Sequence, residues 1–212
     1  MSKFLEGLLP ENGLEFDKFS APHGHPDNDF PNGKWGLYGE KVSGPGIGAP
    51  EDLPDEYYEE VSDREELLEQ LKEDEGVKYE VYLDHLGYPT CGIGHLIKPE
   101  DAEAELEVGD EVSEERVIEL FKEDIGIACR DAVNIYGWSG FCEWPEEVQN
   151  ILINMTFNMG MTRLQKFKKM HEALESQNWK QAAIEGRDSK WYKQVTNRAE
   201  RLMSKLEELP NI

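Results

Sequence analysis

Residues 73–95 read EDEGVKYEVYLDHLGYPTCGIGH, and this stretch carries the strongest local structure signals in the chain. Leucines recur at helical spacing before it, and Gly76 is suited to end that helix because glycine adopts a left-handed conformation at little cost. Residues 77–83 are rich in valine and tyrosine, which favours a strand. Residues 84–87 are typical of a turn and lead into a returning strand over residues 88–93. The stretch therefore predicts a helix that ends beside a β-hairpin.

The helix that precedes the hairpin is predicted to begin at Ser62. Ser62 and Glu65 have the spacing of a capping box, in which the two side chains satisfy free amides of the first turn. Leu68 and Leu71 then follow the helical period, and Glu75 falls seven residues after Leu68. Glu75 is therefore expected in the last turn of the helix, on its apolar face.

The rest of the chain is predicted to be helical. Apolar residues keep the helical period after Ser113, which predicts a long helix of about six turns. Pro145 suits the first turn of a further helix, and Thr162 and Thr196 are placed to cap two more. We therefore expect a mostly helical α+β fold in which a long helix joins a small β-hairpin lobe to a larger helical lobe. A cleft between two such lobes is a natural ligand site.

Residues 1–61 differ in composition from residues 62–212 and are expected to form a separate segment. They are rich in glycine, proline, aspartate and asparagine, and neither a helical nor a strand period persists in them. They nevertheless contain several large apolar residues, namely Phe16, Phe19, Phe30, Trp35, Leu37 and Tyr38. We expect an irregular N-terminal arm that orders against its own folded domain or against a partner chain.

Composition limits the classes of partner and compartment. The chain of 212 residues has 22 Lys and Arg against 45 Asp and Glu, which gives a formal net charge of −23. Such a surface disfavours nucleic acid and anionic membranes, because binding to either depends on cationic side chains. No apolar run of about 18 residues is present, so no membrane insertion is expected. The start of the chain lacks a secretory signal, and Cys91, Cys129 and Cys142 fit neither a disulfide set nor a metal site, which favours synthesis in a reducing cytoplasm.

Two carboxylates in the opening stretch differ in their expected surroundings. A carboxyl group on an apolar helix face, such as that of Glu75, is suited to act as an acid, because loss of water disfavours its charged form. Asp84 at the start of a turn is expected to be exposed and ionised. Such a pair is what a glycosidase uses. From spacing alone, the alternative is a surface charge at a helix end and an aspartate that forms a turn. His95 is interpreted as a catalytic base or as a structural histidine paired with an acid.

Several motifs together resemble the phage-type lysozymes, glycoside hydrolase family 24. The first motif runs from residue 74 to residue 95, and in it Glu75, Asp84 and Thr90 have the spacing of the family. The resemblance continues through residues 120–124, 154–160 and 189–192 and ends in residues 197–201, so it covers about residues 62–209. Residues 87–90 and 186–192 look most similar to the lysozyme domains carried in tail baseplates of large contractile-tailed phages.

The resemblance implies roles for the residues that match the family motifs. Glu75 matches the general acid, Asp84 the second carboxylate, and Thr90 the hydroxyl that helps to place the attacking water. Arg198 matches an arginine that forms a salt bridge with the catalytic glutamate. No metal and no organic cofactor is implied, because two carboxylates and water suffice.

Five further positions match residues with supporting or binding roles. His95 and Asp124 match a buried ion pair that supports the fold. Leu96 and Phe157 match cleft positions that contact sugar. Asn158 stands at a substrate-binding position where glutamine is common in the family, so a polar contact there is shortened or lost.

The function that the resemblance implies is hydrolysis of the β-1,4 bond between N-acetylmuramic acid and N-acetylglucosamine, with peptidoglycan glycan strands as the substrate. Without a signal the enzyme needs delivery to the wall. The N-terminal arm favours a phage virion protein that contacts tail or baseplate proteins through residues 1–61 and acts in the host periplasm or cell wall. The alternatives are a free endolysin for host lysis, or a structural or wall-binding tail component with weak catalysis.

Overall fold

The computed structural model describes residues 55–210, and these form a mostly helical α+β fold, as predicted. The helices are α1 (Asp55–Ser62), α2 (Glu65–Glu75), α3 (Glu114–Tyr136), α4 (Trp138–Glu143), α5 (Glu146–Met159), α6 (Met161–Leu164), α7 (Lys168–Glu175), α8 (Trp179–Arg187), α9 (Lys190–Gln194) and α10 (Thr196–Glu208). The strands are β1 (Lys78–Leu83), β2 (Pro89–Gly92) and β3 (His95–Leu96), and a 3-10 turn covers Ala102–Glu105.

The small lobe is a three-stranded antiparallel sheet in the order β1-β2-β3. The predicted hairpin of β1 and β2 is confirmed, with Tyr82 opposite Thr90. The third strand is not predicted by the sequence, because two residues are too few to show an alternating pattern. Backbone hydrogen bonds also join β1 to residues 109–112, among them the bond from Val112 N to Tyr79 O at 3.0 Å. Strand β1 is therefore hydrogen-bonded both to β2 and to residues 109–112, which lie further along the chain.

Helix α3 joins the small lobe to the helical lobe, as predicted from its long apolar period. It contacts β2 and β3 as well as α1, α4, α5 and α6. The Oγ of Ser113 accepts a hydrogen bond from Arg116 N at 3.2 Å, which caps the first turn. Helix α5 packs against α3, and every residue of α5 from Val148 to Met159 is buried. The two helices form the centre of one apolar core that reaches from Val81 in the sheet to Leu206 in α10.

The start of α2 differs from the prediction. Ser62 is the last residue of α1, and its Oγ donates to Glu59 O at 2.9 Å and does not cap α2. Helix α2 begins after Arg64, which makes no capping hydrogen bond. The guanidinium of Arg64 instead donates to Asn150 Oδ1 at 3.0 Å and to Gln149 Oε1 at 3.1 Å. Contacts with α5 replace the expected local cap, and these contacts are not visible in a local pattern.

Thr162 and Thr196 are predicted to cap helices, but in the structure each is itself part of a helix. Thr162 lies within α6, and Thr196 is the first residue of α10. The Oγ1 of Thr196 donates to Tyr192 O at 3.0 Å, so it binds the preceding turn and does not accept from its own helix. Pro145 immediately precedes α5, one position before the first turn predicted for it.

Residues 55–61, which the sequence assigns to an irregular arm, belong to helix α1 in the structure. Val61 is fully buried in the core, and Tyr57 Oη donates to Gln149 Oε1 at 3.1 Å. The apolar residues of α1 pack on α3, which explains why a short acidic helix is stable here. The remainder of the predicted arm, residues 1–54, lies outside the described residues.

Candidate active site

Glu75 is the last residue of α2, where it points away from solvent. Gly76 ends the helix with a φ of 74°, a backbone conformation that a residue with a side chain adopts only with strain. The side chain of Glu75 is 6% exposed, and its Oε1 accepts a hydrogen bond from Arg198 Nη1 at 2.5 Å. Within the described residues, no other hydrogen bond to this carboxyl group is found.

Arg198 reaches Glu75 from α10, and α5 fixes its orientation. Its Nε donates to Asn154 Oδ1 at 2.8 Å, and its Nη2 donates to Asn154 O at 3.2 Å. One residue thus holds two sides of the planar guanidinium, and the third side faces Glu75. The salt bridge implied by the family resemblance is present, and three helices, α2, α5 and α10, meet at it.

Asp74 also takes part in this charge network, although sequence reasoning assigned it no role. Its Oδ1 accepts from Arg201 Nη2 at 2.5 Å. Its Oδ2 accepts from Asn154 Nδ2 at 3.2 Å and lies 3.2 Å from Arg198 Nε. A signal was available, because Asp74 directly precedes Glu75, and Arg201 follows Arg198 by three residues, which places the two arginines on one face of a helix.

Asp84 follows β1 and is held by the hairpin turn. Its Oδ1 accepts hydrogen bonds from Leu86 N at 2.9 Å and from Tyr88 N at 2.8 Å. Asp84 therefore forms the turn, one of the two roles expected for it, and it is half-buried where the sequence predicts an exposed residue. A turn role does not exclude a chemical role, because the turn amides orient the carboxylate and stabilise its charged form.

Tyr82 is influenced by both carboxylates. Burial raises the pKa of Tyr82 to about 12, and the negative charges of Glu75 and Asp84 add to that increase.

Thr90 lies directly across the sheet from Tyr82, so both side chains are on the same face. Its side chain is buried, and its Oγ1 donates to Tyr88 O at 3.0 Å. Because the hydroxyl proton is already used, the oxygen of Thr90 can meet a further polar molecule only as an acceptor.

His95 forms a buried pair with Asp124, with 2.9 Å between Nδ1 and Asp124 Oδ2. Asp101, which sequence reasoning did not single out, lies 3.2 Å from Nε2. Burial lowers the pKa of His95, but the hydrogen bonds and charges of Asp124 and Asp101 outweigh it, so the pKa lies above its usual value. Both ring nitrogens face carboxylates, which favours the protonated form of His95, so the imidazole is held in a pair on each side.

Leu96, Phe157 and Asn158 are nearly buried in the structure, and their contact with sugar stays a prediction. Their residues are 3%, 2% and 1% exposed. The ring of Phe157 packs edge-on against Phe121 with 5.9 Å between centroids, and Asn158 Oδ1 accepts from Trp191 Nε1 at 2.8 Å. Phe157 and Asn158 belong to α5, whose residues from Val148 to Met159 are all buried, and Leu96 belongs to β3.

Within residues 55–210, no group of three or more His, Cys, Asp and Glu side chains could hold a metal ion. Over the same range, none of the helices is both long enough and apolar enough to cross a membrane.

Comparison with known proteins agrees with this arrangement. The family model described as Phage lysozyme matches residues 72–207, which include the whole charge network and the hairpin. The chain belongs to the phage lysozyme family.

Similar proteins include phage and cellular members of this family. The lysozyme domain described here is 35% identical over 154 residues to the pre-baseplate central spike protein Gp5 of Enterobacteria phage T4, covering 64% of this chain and 26% of that protein. It is 32% identical over 158 residues to probable T4-type lysozyme 1 of Dictyostelium discoideum, covering 66% of this chain and 93% of that protein. It is 28% identical over 137 residues to the peptidoglycan hydrolase gp36 of Pseudomonas phage phiKMV, covering 65% of this chain and 14% of that protein.

Proposed function

We propose that this phage lysozyme family member is a muramidase, which hydrolyses the β-1,4 bond between N-acetylmuramic acid and N-acetylglucosamine in peptidoglycan. The observation that carries the proposal is the carboxyl group of Glu75, which is 6% exposed and accepts a hydrogen bond from Arg198 at Oε1. Asp84 supports it as a second carboxylate of different origin, fixed by the amides of the hairpin turn. Two carboxyl groups in different surroundings suit the acid and base roles of glycoside hydrolysis.

In the proposed mechanism, Glu75 gives a proton from Oε2 to the leaving glycosidic oxygen while Arg198 holds Oε1 in place. Asp84 faces the anomeric carbon and takes a proton from the attacking water. Thr90 accepts the other proton of that water in a hydrogen bond, because its own hydroxyl proton is donated to Tyr88 O. If the reaction inverts the anomeric centre, the two carboxyl groups need to be about 6.5–9.5 Å apart to leave room for the water.

Replacement of Glu75 tests the acid role. Glu75→Gln keeps the size and an acceptor for Arg198 but carries no acidic proton, so hydrolysis is expected to fall by about 100-fold or more. Loss of turbidity of a cell-wall suspension measures it, and thermal unfolding checks the fold. Glu73→Gln is the matched control, since Glu73 is an exposed neighbour on the same helix. Full activity in Glu75→Gln would refute the assignment.

Replacement of Asp84 tests the second carboxylate separately from the turn. Asp84→Asn retains an acceptor oxygen for the amides of Leu86 and Tyr88, so the hairpin is expected to persist. Removal of the charge is expected to lower kcat by about 100-fold or more, with a thermal midpoint close to that of the wild type. A variant that is folded and fully active would show that Asp84 serves only the turn.

We further propose delivery by a phage tail. The match to a baseplate spike protein supports it, and so does the net charge of −23, which gives no electrostatic attraction to an anionic wall. The contacts to tail or baseplate proteins are proposed to come from residues 1–54. A free endolysin is the second candidate, because the chain matches 93% of the length of a T4-type lysozyme. Immunoblotting of purified virions separates them: the protein is present in particles if it is a tail component and absent if it is an endolysin.

A further inference from the structure

Two carboxylates and two arginines form a continuous chain of charge between α2 and α10. Arg198 contacts both carboxylates, with its Nη1 2.5 Å from Glu75 Oε1 and its Nε 3.2 Å from Asp74 Oδ2. Arg201 contacts Asp74 Oδ1 at 2.5 Å. Asp74 and Arg198 are only 5% and 7% exposed, so water screens their charges poorly. A change in charge at one member is therefore felt by the others.

The other elements around Glu75 add few charges. Helix α5 contributes Asn154, which is neutral and bonds both Arg198 and Asp74. Strand β1 contributes Tyr82, which remains protonated at neutral pH because its pKa is raised to about 12. Lys78 lies over the Tyr82 ring, 3.9 Å from its centroid, and the charge of Asp84 raises the pKa of that phenol further. The charges that contact one another directly are those of Asp74, Glu75, Arg198 and Arg201.

We propose that Asp74 is a positioning residue of this site. Because Arg198 contacts Asp74 as well as Glu75, its positive charge is shared between two carboxylates. Glu75 is thereby able to hold the proton that it donates. Arg201 has the complementary role: it partly neutralises Asp74 and so limits that effect. The proposal rests on the proposed function, since it concerns Glu75 as an acid.

The direction of each effect follows from electrostatics. An adjacent negative charge makes it harder for a carboxyl group to lose its proton, and an adjacent positive charge makes it easier. Without the charge of Asp74, Arg198 acts on Glu75 alone, and Glu75 loses its proton at a lower pH. Without the charge of Arg201, Asp74 is less neutralised, and Glu75 keeps its proton to a higher pH. The two substitutions therefore have opposite consequences for the same group.

The test is the pH dependence of kcat on peptidoglycan for the full chain and three variants. In Asp74→Asn, the alkaline half-activity point is expected to fall by about 1 pH unit relative to the wild type. In Arg201→Gln the alkaline half-activity point is expected to rise. The rise is expected to be smaller than the fall in Asp74→Asn, because Arg201 is 32% exposed and screened by water. Arg201→Lys keeps the charge and is expected to stay close to the wild type.

If Asp74 and Arg201 served only folding, their replacement would lower the thermal midpoint and kcat but would not move the alkaline half-activity point in opposite directions. A half-activity point that does not move, or that moves in the same direction in Asp74→Asn and Arg201→Gln, overturns the proposal and leaves the muramidase assignment intact.

If Asp74→Asn does not fold, the comparison of Arg201→Gln with Arg201→Lys decides. A half-activity point that rises in Arg201→Gln and not in Arg201→Lys supports the proposal, and equal half-activity points in these two variants overturn it. An inactive wild type would refute the proposed function itself.

Discussion

At the scale of single residues, the buried carboxylates are stable because each has a cation or a set of donors within reach. The side chains of Asp74, Glu75 and Asp124 are all nearly buried, and each contacts an arginine or a histidine. A buried carboxylate without such a partner would cost several kcal/mol. The site is therefore built from groups that hold one another, and the removal of a single partner has consequences beyond the pair.

The His95–Asp124 pair predicts a pH-dependent stability. The pKa of His95 is raised in the folded state, so protonation favours folding. This contribution is complete below the unfolded pKa of about 6.5 and is lost as the pH rises through the folded pKa. Chemical denaturation at several pH values is expected to show a free energy of unfolding that decreases with pH above about 6.5. A free energy that rises over that window would contradict the assignment.

Asp124→Asn is expected to destabilise the fold by about 3–5 kcal/mol at pH 6, because it leaves a buried imidazolium with one carboxylate fewer. It is also expected to flatten the pH dependence. Asp63→Asn is the matched control, since Asp63 pairs with Lys122 on the surface. That substitution is expected to cost about 1 kcal/mol or less. Equal losses in the two variants would show that the His95 pair is not the source of the effect.

The sequence pointed to the residues that are proposed to carry the chemistry more readily than to the residues that hold them in place. Glu75, Asp84 and Arg198 stand in motifs that can be recognised locally. The partnership of Asp74 with Arg201 joins positions 127 residues apart, and the signal for it is indirect: each lies close in sequence to a member of the Glu75–Arg198 pair. Asp101, which completes the surroundings of His95, escaped notice for another reason: an aspartate in a loop is usually a turn former.

At the scale of elements, the contact between α8 and α10 depends on a glycine. A methyl group built on Gly186 would lie 2.2 Å from the sulfur of Met203 on α10, far inside contact distance. Gly126 in α3 has nothing within 4 Å of the same position. The two glycines are both inside helices, so the intrinsic helix propensity of a Gly→Ala change is the same for both and only the packing differs.

Gly186→Ala is therefore expected to destabilise the protein by about 1–3 kcal/mol, because α8 and α10 must separate or Met203 must leave its rotamer. Gly126→Ala is expected to stabilise it by about 0.5–1 kcal/mol through helix propensity. Thermal unfolding of the two variants measures the difference. Opposite signs support the packing described here, and a stabilising Gly186→Ala would contradict it.

Helices in which the apolar pattern persists over many residues could be predicted from the sequence, but the residues at which they begin and end could not. The repeat of α3 and its cap at Ser113 are local properties of the sequence. The start of α2 depends on Arg64 binding Asn150 and Gln149, some 85 residues away. Strand β3 exists only because β2 pairs with it, so its two residues carry no pattern of their own.

At the scale of the whole molecule, the folded unit begins earlier than composition suggests. Helix α1 contributes Val61 to the core and Tyr57 to a bond with α5. Composition failed here because acidic residues dominate the helix, and three apolar residues in one short helix are too few to show a persistent period. The resulting boundary is relevant to any attempt to separate the N-terminal segment from the enzyme.

Deletion of residues 1–62 is expected to lower stability by about 3 kcal/mol, because the core loses a buried valine and a partly buried tyrosine. Deletion of residues 1–54 leaves α1 in place and is the matched control. Thermal unfolding compares the two, and activity on isolated peptidoglycan is expected to survive the shorter deletion. Equal thermal midpoints would show that α1 is not part of the stable unit.

The most direct measurement of the central claim is the chemical identity of the new ends made in peptidoglycan. Purified wild-type protein is incubated with peptidoglycan, the products are reduced with borohydride, and mass spectrometry identifies the reduced sugar. Hydrolysis by Glu75 and Asp84 at the proposed bond predicts N-acetylmuramitol ends, which disappear in Glu75→Gln and persist in Glu73→Gln. N-acetylglucosaminitol ends, anhydro sugars or freed peptides without sugar ends would contradict the account.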